Sequence, residues 1–449
     1  MFDLLKISAT ILFLAVTLGN GKLFSFQQSQ TPNAPVQRVE RTAQGLYQLE
    51  TPRLTLISDI PFDDELKSWP GLIEQSIEQW QIYHGVEASR MDGWHIKAVL
   101  IGDRARLTQL GVLDGVPDFD EGYQYGDRIY LREQPTAYYR RHLFLHEATH
   151  WVMWKLYGGG GSPWFMEGMA DMHGTHSLQQ GVLKLGVIPQ SSVQVARWGR
   201  LRMIHETLSR GLAPSMTEIL AYGNAREDHE IRYSWSWAAA VFFTNHPKYG
   251  PILKELYGKG IDYSDSLSRG FRARLDEDWE TCQVDWNGFV SDLEFGYDLE
   301  RSRVVQSNHR LKPLMPGEKE SFLLATDHGW QSTGVLVETD RPVHISCSGD
   351  FQIKKSGGPE GADWQIGPNG ITYQFYRGNP LGCVIATIVS SGEQEETKRW
   401  TTMRIGSAGR IVPKKSGQLF LKVNEGSNGL WDNIGNVSAE ISVTKEPAR

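Results

Sequence analysis

The chain has 449 residues, 40% of them hydrophobic and 22% charged, which is material for two or three packed cores rather than one. A net charge of −7, with Lys and Arg scattered along the chain, excludes a basic nucleic-acid footprint. Three cysteines exclude a disulfide framework; Cys347 and Cys383 could pair in an oxidising compartment, leaving Cys282 free.

At the N-terminus Lys6 precedes an apolar run from Ile7 to Leu18, short for a membrane span and suited to a secretory signal. No clean small-residue cleavage site follows between Gly19 and Ser25. Residues 1–25 therefore read as a signal peptide, with an uncleaved N-terminal anchor as the alternative. The expected location is exported, periplasmic or secreted, with membrane contact only through an uncleaved segment. Residues 26–48, rich in Gln, Ser, Pro and Thr, read as a linker.

Arg53 to Ser58 reads as a strand. Phe62 to Tyr83 has helical spacing, with a start or kink at Pro70. Trp94 to Ile101 reads as a strand, Arg104 to Leu110 as a short helix, Gly111 to Gly126 as a loop, and Asp127 to Leu131 as a strand whose edge could pair with an extended peptide. A small sheet thus precedes an apolar helix over Arg140 to Leu156. Gly158 to Gly161 then break the chain, and Ser162-Pro163 supply an N-cap and a first-turn proline for a helix from Trp164 to Asp171. From there to Tyr297 the pattern is mostly helical, most clearly over Val193 to Leu208, Tyr233 to Thr244, Ile252 to Leu256 and Trp286 to Leu293.

Beyond about residue 300 short β-rich runs alternate with Gly, Pro, Asn and Asp: Gly334 to Glu338, Val343 to Cys347, Thr372 to Tyr376, Cys383 to Val389, Gln418 to Val423 and Asn436 to Val443. That pattern predicts a β-sandwich. The fold class is α+β over residues 49–300, a small sheet plus a mostly helical second half, followed by an all-β sandwich over 301–449.

The chemistry concentrates in His146-Glu147-Ala148-Thr149-His150. Two imidazoles four residues apart on a helix project from one face about a turn apart, so both can reach one metal ion. A catalytic zinc site needs three protein ligands, an open position and a general base. Glu167, on the helix that the glycine turn brings back, is the third ligand candidate. Asp171, four residues on, could accept a hydrogen bond from a ligand histidine and fix its tautomer. Glu147 is left as the base, since the adjacent helical position does not point at the metal as the histidines do. His142, His173 and His176 read as surface or supporting residues, and the 15 tryptophans as core.

His146-Glu147-x-x-His150 with Trp164-x-x-Glu167-Gly168-x-x-Asp171 resembles the gluzincin metallopeptidases of the peptidase-MA-like group, over roughly Leu54 to Leu293. The resemblance implies a zincin-like domain and zinc held by His146, His150 and Glu167, with Glu147 as general base. It also implies a downstream tyrosine that stabilises the oxyanion, for which Tyr233, at the head of an apolar helix, is the candidate. An ordinary core aromatic is the alternative for Tyr233. Gly329-Trp330-Gln331-Ser332-Thr333-Gly334, Asn379 to Ile385 and Gln418 to Glu425 with Asp432-Asn433-Ile434-Gly435 look like the galactose-binding PA-IL-type lectin sandwich. That likeness implies Ca²⁺ held by Glu425, Asp432 and Asn433, although Glu425 stands where an Asp is expected and turn chemistry alone also explains the run. The expected function is an exported zinc metallopeptidase acting on a peptide or protein substrate, with a glycan as a further partner. The rivals are a catalytically inactive metal-binding scaffold that binds carbohydrate or envelope through its C-terminal sandwich, and a purely structural envelope protein.

Overall fold

Leu54, Leu56 and Ser58 are buried and alternate with half-buried neighbours, the period-two pattern of a strand in a sheet. The computed structural model describes residues 38–223, 229–259, 262, 264–354, 362–390 and 396–443; the apolar N-terminal run lies outside them. The first sheet contains β1 (Arg38–Arg41), β2 (Tyr47–Glu50), β3 (Leu54–Ser58), β4 (Ile96–Ile101), β5 (Gly122–Tyr125) and β6 (Arg128–Arg132), in the order β1-β2-β3-β4-β6-β5. β3, β4 and β6 pair in parallel, which requires crossovers. Helices α1 (Asp64–His84) and α2 (Arg104–Gln109) lie in them.

Helix α1 starts where the Asp63 carboxylate accepts the Leu66 amide at 2.8 Å, a cap worth about 1 kcal/mol. Pro70 sits inside α1 rather than at its start. The buried face of Leu66, Trp69, Ile73, Ile77 and Trp80 outweighs the one backbone bond that proline removes. Two strands differ from expectation. Part of the supposed linker forms the β1-β2 hairpin, pairing Arg38 with Glu50 through Arg41 with Tyr47. The supposed loop before residue 126 contains β5, which takes the sheet edge, so that β6 is interior between β4 and β5.

The helical half comprises α3 (Ala137–Tyr157), α4 (Pro163–Gly174), a hairpin of β7 (His176–Gln179) and β8 (Val182–Leu185), then α5 (Arg200–Ser209), α6 (Met216–Leu220), α7 (His229–Asn245), α8 (Tyr249–Tyr257), α9 (Ser266–Arg274) and α10 (Trp279–Asp292). Helix α5 begins seven residues later than its apolar pattern predicts, because Arg197 and Gly199 both take positive φ, 72° and 69°. Trp164, Phe165, Trp235, Trp237, Phe243, Trp286 and Phe289 form one core across α4, α7 and α10. The core reading of the tryptophans therefore holds for most of them, with Trp431 an exposed exception.

Inside α10 Asp285 is buried and accepts hydrogen bonds from the Tyr249 hydroxyl and the Gln306 amide, each at 2.7 Å. Burial pushes its carboxyl up to about 6, against the help of those donors. The neighbouring His246, 3.6 Å away, is neutral above about 4 because burial disfavours its charge. Between the ordinary aspartate value and 6 the folded chain holds a proton that the unfolded chain has lost. Stability therefore falls as pH rises through that window, by about 3 kcal/mol for this group. Asp285→Asn is expected to flatten that part of the stability profile. Chemical unfolding at pH 4.5 and pH 7.5 tests it: an unchanged wild-type-to-variant difference at the two pH values would rule the assignment out.

The C-terminal region contains β9 (Lys312–Pro313), β10 (Lys319–Ala325), β11 (Gln331–Val337), β12 (Val343–Ser348), β13 (Phe351–Lys354), β14 (Trp364–Ile366), β15 (Ile371–Tyr376), β16 (Asn379–Leu381), β17 (Val384–Val389), β18 (Met403–Arg404), β19 (Ala408–Ile411), β20 (Gly417–Val423) and β21 (Asn436–Val443). Two sheets, β10-β21-β12-β19 and β18-β17-β20-β11-β9, enclose a common apolar core in a sandwich-like arrangement. The chain as a whole is thus mixed α+β. Cys282, Cys347 and Cys383 are all buried free thiols, so the Cys347–Cys383 pairing is not made.

Helix α10 joins the two regions. Val284 packs with Trp330, Ile385 and Phe420, and the Lys422 ammonium meets the buried Asp292 carboxylate at 2.5 Å. Among the described residues no helix is long and apolar enough to cross a membrane.

Candidate metal centre

Helix α3 is capped by the Thr136 hydroxyl, which accepts the Tyr139 amide, and ends at Gly158. It is buried between the sheet, through Phe144, Ala148, Trp151 and Val152, and α4. The Gly158 to Gly161 turn then reverses the chain, and Pro163 opens α4. The Ser162 hydroxyl does not cap α4 as expected; it accepts the Ser268 amide instead, tying α4 to α9. A Cβ on Gly168 would lie 2.3 Å from the Ser236 carbonyl oxygen, so glycine beside Glu167 lets α4 and α7 pack backbone to backbone.

These helices bring His146, His150 and Glu167 together. The two Nε2 atoms are 3.2 Å apart, and Glu167 Oε2 lies 3.3 Å from the first and 3.5 Å from the second. Tetrahedral ligands at zinc–nitrogen and zinc–oxygen bond lengths stand about 3.3 Å from one another. Glu167 Oε2 is buried and accepts no hydrogen bond, which is how a ligand atom awaiting a cation looks. The donor set of two imidazoles and one carboxylate thus fits a zinc ion. Burial opposes a charge on His146, but the nearby carboxylates of Asp171, Glu167 and Glu147 push it up to about 10. For Glu167 burial is likewise outweighed, here by His150 and His146, which hold its carboxyl far below the usual range.

Asp171 is fully buried. Its nearest imidazole is His142 Nε2 at 2.9 Å, while His146 Nδ1 is 3.6 Å away, too far for a hydrogen bond. Arg200 grips both its oxygens, at 2.6 and 3.1 Å, and lies 5.4 Å over the Tyr233 ring. His142, His146 and Asp171 form a second group capable of holding a metal, although Arg200 already neutralises its carboxylate. His142 and Arg200 were not singled out from the sequence as partners of Asp171. The signal for His142 was its place four residues before His146, on the same face of α3. His173 and His176 are buried rather than on the surface; both nitrogens of His173 lack a partner, and His176 stacks on Tyr138.

Glu147 projects toward β5. A Cβ on Gly122 would lie 2.5 Å from its carboxylate, so only glycine leaves room there. Burial raises the Glu147 carboxyl, opposed by His146 and His150. Tyr233 places its ring centroid 5.9 Å from that of His146. Burial, then the charges of Glu167, Glu147 and Asp171, keep its phenol protonated. Gly122, Tyr139, His146, Glu147, Arg200 and Tyr233 line a common cleft of about 390 Å³.

In the sandwich Glu425 is buried and its Oε2 accepts the Asn433 amide at 2.7 Å. The same amide nitrogen donates to the Thr326 carbonyl, which leaves Asn433 Oδ1 buried and unpartnered. Burial pushes the Glu425 carboxyl up to about 7 despite the Asn433 bond. Among the described residues, the clusters of His, Cys, Asp and Glu able to hold a metal are the two around His146, and neither Glu425 nor Asp432 belongs to one.

No family model matches the chain, and no curated protein does. Among solved structures, the PllA-like lectin of the EclA N-terminal domain aligns at 20% identity over 28% of this chain and 95% of its own, with a TM-score of 0.21. The IMPa metallopeptidase in complex with T-antigen aligns at 11% identity over 80% of this chain and 38% of its own, with a TM-score of 0.17. A periplasmic lysozyme inhibitor, PliG of Aeromonas hydrophila, aligns at 7% identity over 31% and 97%, with a TM-score of 0.17. These are weak likenesses to a metallopeptidase and to a lectin domain, and at such scores they carry no functional argument.

Proposed function

We propose that the chain is an exported zinc metallopeptidase of gluzincin type, with residues 49–300 as the zincin-like domain and 301–449 as an accessory, lectin-like sandwich. The observation that carries this is the His146, His150 and Glu167 triad at ligand-to-ligand spacing, with Glu147 lining one cleft together with His146. Zinc there would act as a Lewis acid and lower the pKa of a bound water. Glu147 accepts the proton from the attacking water and delivers it to the leaving amine. Tyr233, neutral at working pH, donates a hydrogen bond to the scissile oxygen as it gains negative charge. The free edge of β5, beside Glu147, offers backbone groups to an extended peptide, the role first expected of Asp127 to Leu131.

The test is metal content. Purified protein is expected to carry one zinc per chain, and His150→Ala to lose it together with peptide hydrolysis. Full zinc occupancy in His150→Ala would contradict the ligand set.

A further inference from the structure

The cleft does not end at the metal triad. A groove of about 840 Å³ continues from it, and Arg197, Trp198, Gly199 and Arg202 line both. The far wall of the groove comes from the sandwich, through Tyr376 and Asn428. That wall is held in place: the Tyr376 hydroxyl lies 3.0 Å from each Glu294 oxygen, and the buried Lys422–Asp292 pair locks the same junction.

Arg197 stands where cleft and groove meet. Its φ of 72° lies in the left-handed region that only glycine enters freely. Both sides of it are anchored. Trp198 is buried edge-on against Trp237 at 4.9 Å, and Arg200 is bound to Asp171 behind the metal triad. The chain passes from one anchor to the other and leaves the Arg197 side chain exposed, with no hydrogen-bond or ion-pair partner among the described residues. Backbone strain held by rigid neighbours at the rim of a site is a mark of function.

The charges around it indicate what it would bind. A guanidinium presents a planar fork that matches a carboxylate. Arg202, also exposed, lines the same wall and is paired with Glu206 at 3.9 Å, which leaves Arg197 as the unpaired guanidinium there among the described residues. The groove's own acid, Glu294, is already engaged by Tyr376, Arg377 and the Ser427 amide, so it does not compete. The cleft is lined in addition by Asp118, Asp120, Glu121 and Glu230, acids that the groove does not share, so an anionic side chain is favoured on the groove side of Arg197.

We propose that cleft and groove form one track for an extended polypeptide, and that Arg197 selects substrates with a Glu or Asp side chain where they pass from the metal triad into the groove. The polypeptide as substrate class rests on the peptidase reading; the groove and the arginine do not. The test uses full-length protein with zinc and fluorogenic peptides in matched pairs, Glu or Gln at each position in turn. At one position the Glu peptide is expected to have about tenfold higher kcat/KM, carried by KM. Arg197→Gly, which suits the backbone, is expected to keep or raise Tm while bringing that ratio to about one, and Arg197→Lys to retain part of it. In parallel, fluorescence anisotropy measures binding of the same peptides to Glu147→Gln protein. A ratio near one in both assays, or one that survives Arg197→Gly, overturns the proposal. An Arg197-dependent Glu preference in binding without any cleavage would uphold it and remove the hydrolytic reading instead.

Discussion

Glu147→Gln is expected to keep the fold and the zinc while kcat on peptides falls about a hundred- to ten-thousandfold. The two side chains are nearly isosteric, and the space for either exists because residue 122 has no Cβ. What changes is chemical: an amide cannot accept a proton from water and return it to an amine. Glu147 makes no bond that fixes the triad, whose contacts run through His146, His150 and Glu167. Zinc content and Tm should therefore stay near wild type and KM should move little, which places the loss in the chemical step. Replacing a buried carboxylate by an amide also removes a desolvation cost, so a large fall in stability is not expected. The decisive measurement is kcat on a fluorogenic peptide library with zinc content measured on the same samples. Comparable kcat in the two proteins at equal zinc occupancy would leave Glu147 without its role as base, and the cleft would need another.

The triad was legible in the sequence because local rules alone position it. Helical spacing puts His146 and His150 on one face, and a glycine turn followed by Pro163 returns the chain with Glu167 facing them. The surroundings were less legible because they depend on contacts distant in sequence. β5 is Gly-Tyr-Gln-Tyr at the end of a stretch rich in Gly and Asp, and it becomes a strand through its pairing with β6. Strand β1 is polar and exposed, and the apolar alternation of β2, Tyr47 and Leu49, spans only four residues, too few to mark a strand by itself. Helix α5 reads as starting at Val193 because its apolar period runs on upstream, whereas the turn at Arg197 to Gly199 interrupts it. In the sandwich the long strands carry the apolar pattern. The short ones, such as Met403–Arg404 and Lys312–Pro313, are too brief to show any period.

Those distant contacts also support the ligands, and the Asp171–Arg200 pair is where their energetic weight falls. Arg200→Met is expected to destabilise the protein by about 3–5 kcal/mol, the usual cost of leaving one partner of a buried ion pair without the other. Asp171 is fully buried on α4, and Arg200, at the start of α5, supplies two of its hydrogen bonds; His142 alone would remain. Methionine matches the aliphatic stem of arginine, so lost packing is a minor part of the effect. Zinc affinity should not fall with it, because Arg200→Met leaves the Asp171 carboxylate charged, 3.6 Å from the far nitrogen of His146, and takes a cation away from behind that imidazole. The control is the double variant Asp171→Asn, Arg200→Met. It removes both charges, so it should recover a large part of the stability lost in Arg200→Met while lowering zinc affinity about ten- to a hundredfold, because no carboxylate then stands behind His146. Urea unfolding of the three proteins, with zinc binding followed by competition with a chelator, separates the two effects. If the double variant were no more stable than Arg200→Met, the cost would lie in packing at α5, and Asp171 would hold its place without its arginine.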